Sequence, residues 1–320
     1  MNIIVNLLIF CVVLFLYLHV HFHLKTSNDL EVYEIEQPSK DKLEEICDLR
    51  QPVIFQFLNE RLLESCTLNN LNKLYGAFDI QLRDIANEDQ TAEMYLPFIL
   101  KEAVDGFHND NEGKVISEKN IDFLEETGAI KNFRYNDEFL RPPLLSKCIY
   151  DFMVGSSKSS TPLRYNLNYR NYYYVTNGNI NIKLIPPYYG KYLNYINDYD
   201  NFEFRSPINV WNVQDKYKAE FDKVKSLEVE LKKGQIIFIP PYWWYSIQYN
   251  NMANICSFQY RTFMNSLAIS PQICMSLLQN QNIKRDIVEK IPFIQEKKEL
   301  GEKNEDEILN IAPKNEIETE

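Results

Sequence analysis

"LKKGQIIFIPPYWWYSI", Leu231 to Ile247, is the stretch from which the fold of this chain is read. Behind a Gly-closed turn, the apolar run Ile236–Ile239 reads as a buried strand, and Pro240-Pro241 end its ladder because proline has no N–H to donate. A tight aromatic corner follows, and "WWYSIQY" starts the next strand. Trp243 and Trp244 read first as core, since such rings bury large areas wherever they sit. A lining role beside a ligand is the alternative, with Tyr242 and Tyr245 its clearest candidates.

Around this corner, from Lys147 onward, the text is strand-like. "CIYDFMVG", "NYYYVTNG", "INIKLIPP", "SLEVELKKG", "QIIFIPP" and "WWYSIQY" are short, aromatic-rich and separated by Gly, Pro, Asn and Ser clusters, which suggests an antiparallel sandwich or barrel. Upstream, "EVYEIEQPSKDKLEEICDLRQPVIFQF" reads as strand, turn, acidic amphipathic helix and buried strand. Apolar positions then return at helical spacing from Leu58 to about Ala86, and "AEMYLPFILKEAVDGF" is helical or mixed. A helical signal resumes at "PQICMSLLQNQNIKRDIVEKI", and a charged, weakly hydrophobic tail closes the chain. The predicted organisation is an anchor over 1–24, a neck over 25–30 and a domain over 31–264, with an α+β part over 31–146 and a barrel core over 147–264. A helical region over 265–294, able to form a homodimer or to pack on its own sheet, and a disordered tail over 295–320 follow.

The chain has 320 residues, 45% of them hydrophobic, which suffices for a full core and excludes disorder throughout. A net charge of −11, unbroken by any Lys/Arg-rich stripe, would repel a phosphate backbone, so no nucleic-acid partner is expected.

The opening "MNIIVNLLIFCVVLFLYLHVHFHL" is apolar over a length that crosses a hydrocarbon layer of about 30 Å as a helix. A cleaved signal peptide is the competing reading, but a basic n-region and a small-x-small site are both missing. Beyond Cys11 the cysteines are odd in number, widely spaced and without a C-x-x-C pair, and no Asn-x-Ser/Thr acceptor occurs. Both features favour a single-pass membrane protein whose domain faces the cytosol. His19, His21 and His23 do not converge on one face of a helix, and His108 reads as a solvated loop residue. "NDNEG" lacks the Glu spacing of a calcium loop.

Together these segments resemble the cupin-like JmjC family of 2-oxoglutarate- and iron-dependent oxygenases, which includes the factor-inhibiting-HIF asparaginyl hydroxylase. The resemblance covers most of Val32 to Thr262. The opening quotation is similar to the family's Gly-Asp-x-hydrophobic-x-x-Pro-x-x-Trp-Trp-His-x-hydrophobic signature. "RSPINVW" looks like its Ser-Pro-hydrophobic-Asn linker, "GSSKSSTPLRYN" like its Gly-Ser-x-Thr-Pro-Leu-His-x-Asp approach, and "NYYYVTNGNINIKLIPP" like its Asn-led strand and Gly hairpin. "IEQPSKDKLEEICDLRQPVIF" fits its N-terminal extension. The implied fold is mainly β with flanking helices: a double-stranded β-helix, or jelly roll, behind an N-terminal transmembrane helix.

Active members hold Fe(II) with two His and one carboxylate. Carried onto this chain with one extra residue before Asn171, the His-x-Asp pair falls on Arg164 and Asn166, and without that insertion on Tyr165 and Leu167, which ligate no better. The distal His falls on Tyr245, and the hairpin Lys that would meet the co-substrate on Ile180. Independently of that correspondence, His108 is the single histidine beyond the anchor, so a two-His site cannot be assembled. A guanidinium at the metal position adds a fixed positive charge, opposing a cation by on the order of 4 kcal/mol per charge pair at 4 Å and an effective dielectric of 20. The expectation is a catalytically inactive pseudo-oxygenase with no catalytic residues, no metal and no cofactor. Arg164, Asn166 and Tyr245 would be vestigial metal-site positions, with Asn171, Ile180, Tyr242, Trp243 and Trp244 as candidate pocket lining. Its partners would be the membrane, through the N-terminal helix, and either an unknown protein or a small anionic ligand, with Arg164 either available to that anion or neutralised by an internal carboxylate. Two other readings stand beside it: a working oxygenase using Fe(II) and 2-oxoglutarate through atypical oxygen ligands, and a structural membrane protein.

Overall fold

Alternation of side chains across β-strands accounts for most of the architecture in the computed structural model, which describes residues 3–85, 95–110 and 112–282. The N-terminal part supplies β1 (Tyr33–Ile35), β2 (Val53–Gln56), β3 (Asp79–Asp84), β4 (Leu96–Ile99) and β5 (Val115–Ser117). Then come β6 (Leu145–Gly155), β7 (Arg164–Tyr165), β8 (Arg170–Asn177), β9 (Asn179–Ile185), β10 (Ile196–Asp198) and β11 (Glu203–Arg205). The last four are β12 (Leu227–Lys232), β13 (Gln235–Phe238), β14 (Trp244–Tyr249) and β15 (Ala253–Thr262).

They form a nine-stranded sheet ordered β1-β2-β13-β8-β15-β6-β5-β3-β4 and a six-stranded sheet ordered β10-β11-β7-β14-β9-β12. From β6 onward the chain keeps crossing between sheets: β6, β8, β13 and β15 lie in the large one, and β7, β9, β12 and β14 in the small one. That alternation is the jelly roll, or double-stranded β-helix, with the N-terminal strands widening one of its sheets. Gly178 makes one of the crossings, between β8 and β9, at φ +79°, and a Cβ there would come within 2.6 Å of Ala253.

The centre of the large sheet, from β13 through β8 and β15 to the end of β6, is buried on both faces, while its edge strands β1 and β4 are largely exposed. Tyr173, Val175, Ile237 and Ile255 point between the sheets toward Ile182, Leu184, Ile247 and Tyr249 of the small one. Their neighbours Tyr172, Tyr174, Phe238 and Phe258 point outward, beneath a layer of helices. That layer is α2 (Lys40–Cys47), α3 (Glu60–Ser65), α4 (Leu68–Tyr75), α5 (Leu100–Asn109), α6 (Ile121–Glu126) and α7 (Ile130–Asn136), contributing Leu43, Leu62, Leu71, Phe107, Phe123 and Phe133. Two-sided burial is why "NYYYV" reads as an unbroken apolar run.

Several expectations need correcting. The helical spacing from Leu58 holds through α4, after which the chain turns into β3, an amphipathic strand whose partners β4 and β5 come from later segments. "AEMYLPFILKEAVDGF", read as helical or mixed, is the mixed case where it is described, β4 followed by α5. His108 is exposed on the last turn of α5 rather than in a loop. The predicted strand set omits β15, which pairs with both β6 and β8 at the centre of the large sheet.

The chain begins with α1 (Ile3–Leu24), a 22-residue helix apolar on all sides and long enough to cross a membrane. After β15 come α9 (Phe263–Ala268) and α10 (Ser270–Asn282), with α8 (Asp215–Phe221) earlier, between β11 and β12. The predicted tail over 295–320 lies outside the described residues, as does the end of the predicted helical region.

Candidate functional site

Arg164 and Tyr245, which the sequence places at two ligand positions, are directly paired across β7 and β14. Asn166 follows β7 and points its amide the same way. Its Nδ2 donates to the hydroxyls of Tyr173 at 2.9 Å and Tyr245 at 3.1 Å, and those hydroxyls are 2.6 Å apart. The three expected positions therefore do meet inside the barrel. What they present is a guanidinium, an amide and a phenol.

Arg164 is buried and its charge is matched internally. Its Nη1 donates to Glu118 Oε1 at 3.0 Å, its Nη2 makes a second, closer bond to Glu118 Oε2, and Nη1 also reaches Glu203 Oε1 at 3.4 Å. This two-pronged geometry suits guanidinium and carboxylate. A second guanidinium closes the cluster, with Arg83 Nη1 at 3.2 Å from Glu118 Oε1 and 3.1 Å from Glu203 Oε1. The Tyr95 hydroxyl donates to Glu118 Oε1 at 2.8 Å, and Lys119 Nζ lies 3.8 Å from Glu203 Oε2. Burial alone would raise the Glu118 carboxyl, but Arg164 and Arg83 outweigh it and bring the group down to about 2. Glu203 is held low by Arg83 and Arg164 against the same burial.

Asp151 behaves in the opposite sense. Burial pushes its carboxyl up to about 7, although the backbone N–H groups of Asn120 and Lys119 each donate to it at 2.8 Å. With no guanidinium on it, desolvation wins.

Beside this cluster opens a cleft of about 470 Å³. Arg164, Asn166, Tyr173 and Tyr245 form its floor, while Lys119, Lys147, Asp151 and Arg261 contribute charge to its walls. The five predicted lining residues are elsewhere. Asn171 is fully buried, its amide donating to the Asn168 and Ile239 carbonyls at 3.1 Å and so stapling the proline corner to β8. Ile180 and Trp243 lie in the core between the sheets: Ile180 shares the inward face with Tyr245 but sits further along the strand pair, opposite Tyr249, and Trp243 is buried in the corner before β14. Trp244 faces the other side of the small sheet, packing on Leu163, Ile185 and Val210. Tyr242 sits at φ +66° in the corner itself and packs near Leu167 and Phe204.

Sequence reading missed Glu118, Arg83, Glu203 and Asp151. A buried arginine implies a carboxylate partner, but nothing in "VISEKN" marks Glu118 as that partner, which lies 46 positions away and is brought in by pairing of β5 with β6.

The residues present do not fit a two-His, one-carboxylate iron centre. No imidazole reaches the site, its two nearest carboxylates are already bonded to Arg164 and Arg83, and among the described residues no group of three His, Cys, Asp or Glu side chains is placed to hold a metal.

Two packed, largely antiparallel sheets with an interior polar site define a cupin-type domain. The profile of the cupin-like domain family matches residues 40–265, and the chain belongs to that family. A search of curated proteins finds no match.

Proposed function

We propose that this chain is a membrane-anchored, catalytically silent cupin-like domain that binds a small anionic ligand, or a protein group of that chemistry, in the cleft over Arg164. The observation that carries this reading is the buried Arg164–Glu118 pair beside an open cleft, with Arg164 at a position that the family resemblance assigns to an iron ligand. Lys119, Lys147, Arg164 and Arg261 face the cleft against the carboxylates Glu118 and Glu203, while burial holds the Asp151 carboxyl well above the usual carboxylate range and so weakens its negative charge. Positive charge is therefore in excess at that wall, on a chain whose net charge is −11. The anchor is α1, and the unpaired cysteines with the absence of glycosylation acceptors favour a cytosolic domain.

The test is metal analysis of full-length protein purified anaerobically with Fe(II), followed by succinate release with 2-oxoglutarate. The expected result is neither stoichiometric iron nor turnover; both together would establish the oxygenase reading instead. Calorimetric titration with small di- and tricarboxylates, set against Lys147→Ala/Arg261→Ala protein, tests the ligand class. Equal heats from the two proteins would count against it.

A further inference from the structure

The domain does not hang from its helix on a loose neck. Arg50 lies fully buried with its guanidinium 5.1 Å from the Phe22 ring centroid and 4.9 Å from that of Tyr169, and its Nη2 donates to the Phe22 carbonyl at 3.5 Å. A cation on the last carbonyls of α1 suits the helix dipole. The His23 ring packs edge-on against Tyr169 at 4.8 Å. Beyond the helix, the Gln51 side chain bonds Ser27 and the Asp29 and Glu31 carbonyls, and Asn28 Oδ1 accepts from the Tyr188 N–H at 2.9 Å.

This docking extends well along α1. Phe15, Leu18, His19 and Phe22 share the wall of an apolar cleft of about 440 Å³ with Leu144 and Met264 of the domain. Helix length then imposes a condition. At 1.5 Å per residue, Ile3–Leu14 spans about 18 Å and the flanked portion Phe15–Leu24 about 15 Å, against about 30 Å of hydrocarbon. The free portion alone is too short to cross. The flanked portion must enter the bilayer as well, and it takes its neighbours in the domain with it.

Those neighbours are suited to lipid. Leu144 is 74% exposed, Phe263 64% and Leu267 44%, and the Phe263 N–H donates to the Leu144 carbonyl, so the first two form one patch continuous with α1. Resting on the membrane-anchor reading above, we infer that the face formed by Leu144, Phe263, Met264 and Leu267 is a lipid-docking surface. It sinks about 5–10 Å into the same bilayer that α1 crosses, with acyl chains filling the apolar cleft. The domain is thereby held in one orientation. The β14–β15 turn at Asn250 stands off the membrane by roughly the length of β15, about 30 Å.

The experiment uses full-length protein in phosphatidylcholine vesicles, on a Cys11→Ser/Cys148→Ser/Cys274→Ser background, with one bimane-labelled cysteine at a time and brominated lipid as quencher. The labelled variants are Leu8→Cys, Leu144→Cys, Phe263→Cys and Asn250→Cys. Loss of emission at Leu8→Cys, Leu144→Cys and Phe263→Cys, with Asn250→Cys unquenched, is the expected result. Quenching at Leu8→Cys alone overturns the docking surface while leaving the anchor intact, and no quenching at Leu8→Cys overturns the anchor itself. A concentration-dependent blue shift at Leu144→Cys and Phe263→Cys without lipid quenching would assign the patch to a second copy of the chain and overturn the proposal.

Discussion

Tyr245 and Arg164 face each other in register across β7 and β14, with the guanidinium carbon 5.7 Å from the phenol ring centroid. Two positions that the family resemblance assigns to metal ligands are thus adjacent, but one carries a permanent cation and the other stacks against it. The cation is compensated by a carboxylate from the N-terminal part of the chain, so the site is an ion-pair cluster rather than an open coordination sphere.

Removing one charge from that cluster should be costly. Glu118→Gln leaves Arg164 and Arg83 buried with weakened partners, and a loss of about 3–5 kcal/mol is expected from breaking a buried pair. Arg164→Met combined with Glu118→Gln should lose less than the sum of the single changes, since neither orphaned charge of that pair remains. Urea denaturation of the three variants gives the coupling energy directly.

The same cluster sets the pH dependence. Glu118 titrates lower folded than unfolded, so its contribution is complete above about pH 4.5 and is lost as pH falls toward about 2. Asp151 titrates higher folded, near 7, than its ordinary 3.8, so it stays protonated in the fold after the unfolded chain has released its proton. Its effect is a decline in stability from about pH 4 to 7, with no further change above. The urea midpoint should therefore rise from pH 2 to about 4.5 and then sag toward neutrality. Glu118→Gln should flatten the first limb and Asp151→Asn the second.

A smaller and separate cost attaches to the hydroxyls beneath the cleft. Tyr245→Phe removes one member of the Asn166–Tyr173–Tyr245 triangle but leaves the Asn166–Tyr173 bond intact. About 1–3 kcal/mol should be lost in chemical denaturation, the usual net worth of the two hydrogen bonds that the Tyr245 hydroxyl makes. Tyr173→Phe should cost a similar amount. If the cleft ligand bonds this floor, each change should also weaken the calorimetric binding tested above.

Much of this architecture was legible because the barrel strands are bounded by Gly and Pro, and those at the centre of the large sheet are buried on both faces, which leaves compact apolar runs such as "NYYYV" and "QIIF". The β15 strand escaped because "ANICSFQYRT" mixes small and polar residues, with Ser257 and Asn254 buried in the sheet. The β3 strand escaped because its neighbours β4 and β5 lie further along the chain, so no local pattern separates it from the preceding helices. At the site, Arg164, Asn166 and Tyr245 came from motif position, whereas Glu118 and Arg83 reach it only through sheet pairing. A guanidinium announces that a carboxylate must be near; it does not say which one.

Gly155 offers the last test, because its residue type is marked by motif and its reason is visible only in three dimensions. It ends β6 in the large sheet, opposite Ala253, and has no positive φ to demand glycine. The Tyr249 ring, from the small sheet, lies against its backbone, so an added Cβ would fall 2.1 Å from the ring. Neither group can move freely, since Tyr249 is fully buried between the sheets. Gly155→Ala should cost at least about 1–3 kcal/mol through overpacking. Tyr249→Leu in the same chain should recover part of that loss by opening the space, whereas a cost that came from backbone strain alone would persist in the double variant. Thermal and urea denaturation of the two single variants and the pair distinguish these outcomes.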